Sequence, residues 1–165
     1  MDPRSLGSLL ALLADGDEPL SSAWAFLRGN GCPVGGIDRF VAQLEDPVRD
    51  GILRLMHVDH RSGDSAPVTT VPAELPARYL AFDPVPTLFD PLDLYLSLGP
   101  EAPVSPSKEW ALDIDWKTSR FTVAAPDEAM ARAVLARAWK AFPGVAFTLE
   151  EAGEEGAFRG KLERR

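Results

Sequence analysis

The sequence is poor in the residues that carry chemistry. It has one cysteine and two histidines, and its first 107 residues hold no lysine. A single thiol, Cys32, cannot close an internal disulfide, and one free thiol suits a reducing compartment. Set between Gly31 and Pro33, with no histidine near it in sequence, Cys32 reads as a small loop or core residue rather than a nucleophile. His57 and His60 are the only histidines, so His57-Val58-Asp59-His60 is the only cluster of metal-type ligands. A zinc or iron site would need a second Cys/His group, and none exists; a solvated strand with no metal and no cofactor is expected. Gly35-Gly36 has no Lys-Ser/Thr after it, so it does not make a phosphate loop. No catalytic triad or metal-hydrolase motif is present either, and an enzyme is not expected. No apolar run reaches the length of a membrane span, so no membrane partner is expected.

Positive charge is also scarce. The formal net charge is −8 and the isoelectric point is near 4.7. Residues 1–82 carry seven arginines against eleven carboxylates, residues 83–107 carry four carboxylates and no cation, and residues 108–165 carry ten of each sign. A duplex binder needs a basic footprint to displace counterions, so this balance disfavours nucleic acid and favours another protein as partner. At the N-terminus, Met1-Asp2-Pro3-Arg4 precedes a leucine-rich stretch from Ser5 to Ala14. The acidic Asp2, and Asp15-Gly16-Asp17 where small cleavage-site residues belong, point away from a signal peptide and toward a packed helix. The cytoplasm is the expected compartment.

What is present is the pattern of an α+β protein, with 45% apolar and 25% charged residues. Glu109 to Trp116 alternates strictly, with Trp110, Leu112, Ile114 and Trp116 on one face, the period of a half-buried strand. Lys117 to Arg120 reads as a turn, and Phe121 and Val123 resume the alternation. Pro126-Asp127-Glu128 opens a helix with carboxylates near its positive end. Met130, Val134, Leu135, Ala138 and Phe142 form its apolar stripe, and Pro143-Gly144 ends it. Val145, Phe147 and Leu149 predict a further strand, and Phe158, Gly160 and Leu162 a last one. Leu92, Leu94, Leu96 and Leu98 alternate as well and are assigned to this same C-terminal sheet. The expected order there is β-β-β-α-β-β, mostly antiparallel with one face under the helix.

The first half reads differently. Leu6, Leu9, Leu10 and Leu13 recur at helical spacing, as do Leu20, Ala23, Trp24 and Leu27, and then Ile37, Phe40, Val41 and Leu44. Gly51 to Asp59 reads as a strand, Arg61 to Asp64 as a tight turn, and Val68 to Val71 as a returning strand. A short helix is expected around Leu75, Tyr79 and Leu80. The expected organisation is a module over 1–82, a Pro-rich linker with one strand over 83–107, and an α+β module over 108–165.

Three short helices and a hairpin, with the passage from Leu44 through Asp50-Gly51 into Leu55 and the turn at Ser62-Gly63-Asp64, make residues 5–71 resemble the winged-helix superfamily. The resemblance covers less than half the chain. It implies either DNA reading by the third helix or service as a protein-docking module. Here Arg39 stands among Asp38, Glu45 and Asp46, a poor charge balance for a major groove.

The candidate partner-binding residues are therefore few. Arg39, Arg54 and Arg61 are the cations placed on the third helix and the wing. Trp139 sits at the edge of its helix's apolar stripe, where an aromatic is free for a surface contact. Glu150, Glu151, Glu154 and Glu155 form an acidic run around a turn, suited to solvent or to a basic partner. Asp113 and Asp115 share a strand face with Glu109 and read as a solvent-facing row rather than an acid–base pair. The pattern points to a non-catalytic intracellular protein-binding module: an adaptor, a regulator, or a neutraliser of a basic partner. The alternative is a DNA-binding transcription regulator with a C-terminal dimerising or ligand-sensing domain. Nothing in the pattern fixes an oligomeric state.

Overall fold

A computed structural model describes residues 1–72, 92–106, 109–152 and 156–164. The chain is mixed α+β and divides into two compact units, Met1–Pro100 and Glu101–Arg165. None of the described helices is long and apolar enough to cross a membrane.

In the first unit, α1 (Pro3–Leu13) starts where Asp2 accepts hydrogen bonds from the Arg4 and Ser5 amides at 3.1 and 3.2 Å. Pro3 stands at the first helical position, where its missing N–H costs nothing. Leu6, Leu9, Leu10 and Leu13 are buried, as their spacing requires. Glu18-Pro19 forms a two-residue strand, β1, and α2 (Leu20–Gly29) follows with Leu20, Ala23, Trp24 and Leu27 inside. The Trp24 indole donates to the Gly35 carbonyl at 3.0 Å and holds the loop into α3 (Ile37–Ala42). The third apolar repeat is split: α3 ends after six residues and α4 (Glu45–Arg49) follows, with Leu44 buried at the junction.

The sheet of this unit corrects one expectation. Its order is β1-β4-β2-β3, all antiparallel, with β2 at Leu53–Asp59, β3 at Ser65–Val68 and β4 at Leu92–Leu98. The Leu92–Leu98 strand was expected in the C-terminal sheet; it lies instead in the middle of the N-terminal one. Register gives the reason, because Leu98 faces Leu53 and Leu96 faces Leu55, so its leucines complete the inner face on which α1 and α2 pack. The returning strand also begins earlier than expected, at Ser65 rather than Val68. The helix expected around Leu75, Tyr79 and Leu80 lies outside the described residues.

In the second unit, β5 (Ala111–Asp115) and β6 (Arg120–Ala124) form a hairpin, α5 (Glu128–Ala141) crosses one face, and β7 (Val145–Ala152) and β8 (Ala157–Arg164) complete an antiparallel sheet of order β5-β6-β8-β7. With Leu92–Leu98 elsewhere, the element order here is β-β-α-β-β. Trp110 and Trp116 flank β5 rather than lie within it, and both are half-buried. Phe121 and Val123 of β6, Phe147 of β7 and Phe158 and Leu162 of β8 are buried on the helix side. Val134, Leu135 and Ala138 of α5 meet that side. Phe121 and Phe147 pack edge-on at 5.4 Å between ring centroids, the geometry aromatic quadrupoles favour.

Candidate functional site

The site with the clearest exposed apolar character lies in the second unit, where α5 runs beside β7. Asp127 caps α5 by accepting from the Met130 amide at 2.7 Å, which fixes where the helix begins. The stripe of Ala131, Val134, Leu135, Ala138 and Ala141 points into the sheet, and the next position round the helix, Trp139, falls outside it. Phe142 ends the helix, and Gly144, with φ of +85°, turns the chain directly into β7. The last turn of α5 therefore sits over the start of β7. Trp139 is 59% exposed, more than any other large hydrophobic side chain described; Phe26 follows at 38%.

Between helix and strand runs a groove of about 600 Å³ lined by Arg132, Leu135, Trp139, Phe147, Leu149 and Phe158. Glu128 and Glu150 stand at its rim. A smaller hollow of about 230 Å³ also borders Trp139, against Gly144, Val145 and Ala146. β7 is an edge strand, paired to β8 along one side only among the described residues. Its pairing shifts register between Leu149 and Glu151, so Glu150 occupies a bulge.

The charges around the groove are matched locally. Arg132 reaches Glu128 one turn earlier, at 2.6 and 2.9 Å through two nitrogens. Glu150 is bound by Lys161 and lies 4.0 Å from Arg120, cations brought from β8 and β6. Behind the helix, Lys140 holds Glu101 at 2.7 Å, and that hydrogen bond, with the charge of Lys140 behind it, keeps the Glu101 carboxyl below the usual range. The Arg137 guanidinium lies 4.5 Å over the Trp110 ring. These exposed pairs orient side chains and contribute little stability.

The other expected site residues do not join this groove. Arg39 is exposed on α3, Arg54 on the outer face of β2 and Arg61 in the β2–β3 turn, all in the first unit. Glu151 is placed by its register opposite Arg159, while Glu154 and Glu155 lie outside the described residues. His57 and His60 are exposed, and Asp59 accepts from the Arg61 amide at 2.8 Å. No group of three or more Cys, His, Asp or Glu that could hold a metal occurs among the described residues. Asp115 caps the β5–β6 turn, where the Thr118 side chain and then the Lys117 and Thr118 amides hold its carboxyl below the usual range. Cys32 is half-buried in a shallow hollow with Arg28, Gly35 and Gly36.

Helical spacing singled out Trp139, and the acidic run singled out Glu150. Sequence patterns missed Leu149, Phe147 and Arg132, whose membership follows from β7 standing at the sheet edge. Compared with protein-family models, with curated proteins and with solved structures, the chain matches none.

Proposed function

We propose that this chain is a non-catalytic, intracellular protein-binding module and that the α5–β7 groove is its contact face. The observation that carries the reading is Trp139, exposed and bordering two hollows, the larger of which has Leu135, Phe147, Leu149 and Phe158 as further apolar lining. Large aromatics set among apolar neighbours with a charged rim are where binding energy concentrates in protein interfaces. Scattered exposed hydrophobics are ordinary, but one that borders a groove is a contact candidate. On this reading the first unit is a winged-helix-like module serving as a docking element rather than a groove reader. Adaptor, regulator and neutraliser of a basic partner are the roles that fit.

The test compares wild type with Trp139→Ala as baits in cell extract. Removing a side chain this exposed should leave stability within about 0.5 kcal/mol, as for surface changes generally. Loss of a stoichiometric protein partner by the variant supports the reading. A variant that keeps every partner of the wild type refutes the assignment of this face.

A further inference from the structure

Four sheet edges are described in this chain, and three of them are blunted. β1 has two residues, one of them Pro19. β3 has four and contains Pro67. β5 carries the exposed Asp113 and Asp115, and Val104 bridges to Ala111 on its outer side. Short length, proline, charge and cover are the devices by which proteins keep edge strands from pairing with other chains. β7 has three such features, Glu150, Glu151 and the register shift, but all follow Leu149. Its first five residues, Val145-Ala146-Phe147-Thr148-Leu149, contain no charge, no proline and no shift.

We propose that this run pairs antiparallel with the same run of a second copy of the chain, about a two-fold axis through Phe147, joining the two sheets into one. The inference rests on the reading of the α5–β7 face as a protein contact and names its occupant.

The run is complementary to itself. In this register Val145 faces Leu149 of the second copy, Phe147 faces Phe147, and Ala146 faces Thr148. Side chains on the helix side are then all apolar, Val145 and Phe147 being buried and Leu149 half-buried. Those on the other side are small and uncharged. Pairing also ends by itself at both limits. Glu150, in its bulge, would lie opposite Gly144, which has no side chain and whose φ of +85° leaves the strand. No like charges are opposed, and such opposition is what destabilises a wrong cross-strand pairing. A two-fold contact requires that one patch complement itself, and this one does.

The axis sets both α5 helices on the same side of the joined sheet. Trp139, beside Val145 and Ala146, would then cover the pair made by Val145 with Leu149 of the second copy. The exposed ring and the groove thus acquire a common occupant. A foreign strand could use the same edge, but nothing in the groove's compensated charges selects one.

Sedimentation of the full chain tests the assembly, and a thiol trap tests its register. At about 100 µM wild type should sediment as a dimer, since even a dimer of about 10 µM affinity is mostly assembled there. Trp139→Ala should weaken dimerisation roughly tenfold or more, as loss of a central aromatic does. For the trap, Ala146→Cys and Thr148→Cys are each made in a Cys32→Ser background. Directly opposed residues of an antiparallel pair have Cα atoms about 4.5–5.5 Å apart, within disulfide range. Diagonal neighbours are about 7–8 Å apart, beyond it. Mild oxidation should therefore link the two variants when mixed and link neither alone. A wild type that stays monomeric at that concentration, or a cross-link formed by Thr148→Cys alone, overturns the inference. If wild type is monomeric while Trp139→Ala loses a foreign partner, the second copy is wrong and the contact face stands; if Trp139→Ala changes neither, both fall.

Discussion

Replacing Gly160 by alanine tests the packing that shapes the groove. Gly160 lies on β8 between Phe121 of β6 and Leu149 of β7. A Cβ added there would come within 2.1 Å of the Thr148 carbonyl oxygen, 2.4 Å of Cζ of Phe121 and 2.7 Å of its Cε1. Comfortable carbon contacts lie near 3.5–4.0 Å, so each of these is a hard overlap. Neither neighbour can yield cheaply. The oxygen belongs to the backbone of β7, and the Phe121 ring is held by Phe147 at 5.4 Å. Backbone entropy alone would make the change to alanine stabilising by roughly 0.5–1 kcal/mol. Overpacking a filled core costs about 1–3 kcal/mol and occasionally more, so the steric effect wins and the variant should lose about 1–2 kcal/mol. For a unit of this size that lowers the midpoint of thermal unfolding by about 4–8 °C per kcal/mol. Near-UV dichroism and tryptophan fluorescence follow the change, since Trp110, Trp116 and Trp139 all belong to this unit. The control is Gly29→Ala at the end of α2, where an added Cβ meets nothing within 4 Å. It should gain a few tenths to about 1 kcal/mol. If Gly160→Ala proves as stable as wild type, Phe121 does not lie over Gly160 and the placement of β7 is wrong.

Two further outcomes are expected. Burial opposes ionisation of Asp2, but hydrogen bonds from the Ser5 hydroxyl and the Ser5 and Arg4 amides outweigh it and hold the carboxyl below its usual range. A depressed pKa contributes stability that is complete above the unfolded value of about 4 and is lost as the pH falls through the folded value. Asp2→Ala should cost about 0.5–2 kcal/mol near neutrality, the worth of a helix cap, and flatten the acid limb below about pH 4; urea midpoints that fall as steeply as wild type in acid refute this. In a salt titration with mixed duplexes, binding should be no tighter than about micromolar at physiological salt. Nanomolar, salt-sensitive binding weakened by Arg39→Ala or Arg61→Ala would establish the DNA-reading alternative instead.

The elements legible in the sequence were those whose period is set by their own side chains. α1 and α5 have apolar stripes that need no neighbour to define them, and both fall where the spacing of Leu6 to Leu13 and of Val134 to Ala138 put them. β4 was legible as a strand, from its alternating leucines, but not as a member of its sheet. Alternation says that one face is buried and is silent about which strand lies beside it. The partners that decide, Leu53 and Leu55, stand some forty residues earlier in the chain. β1 and β3 were obscured for another reason. Glu18-Pro19 and Ser65 to Val68 have low strand propensity, and they pair because β4 and β2 offer them an open ladder.

The candidate site divides along the same line. Trp139 could be found from sequence because a tryptophan off the buried stripe of its own helix is a local fact. Glu150 was visible as a charge, but its cations, Arg120 and Lys161, reach it only across three neighbouring strands. That β7 has an open side among the described residues was not legible at all. The hairpin of β7 with β8 would read the same if β7 had joined β6, and the uncharged run from Val145 to Leu149 would then be an ordinary buried strand. Placing β8 between β6 and β7 leaves that run, among the described residues, with a free ladder beside an exposed indole. The pairing proposed for β7 therefore rests on strand order, and a residue pattern suggests it only once the order is known.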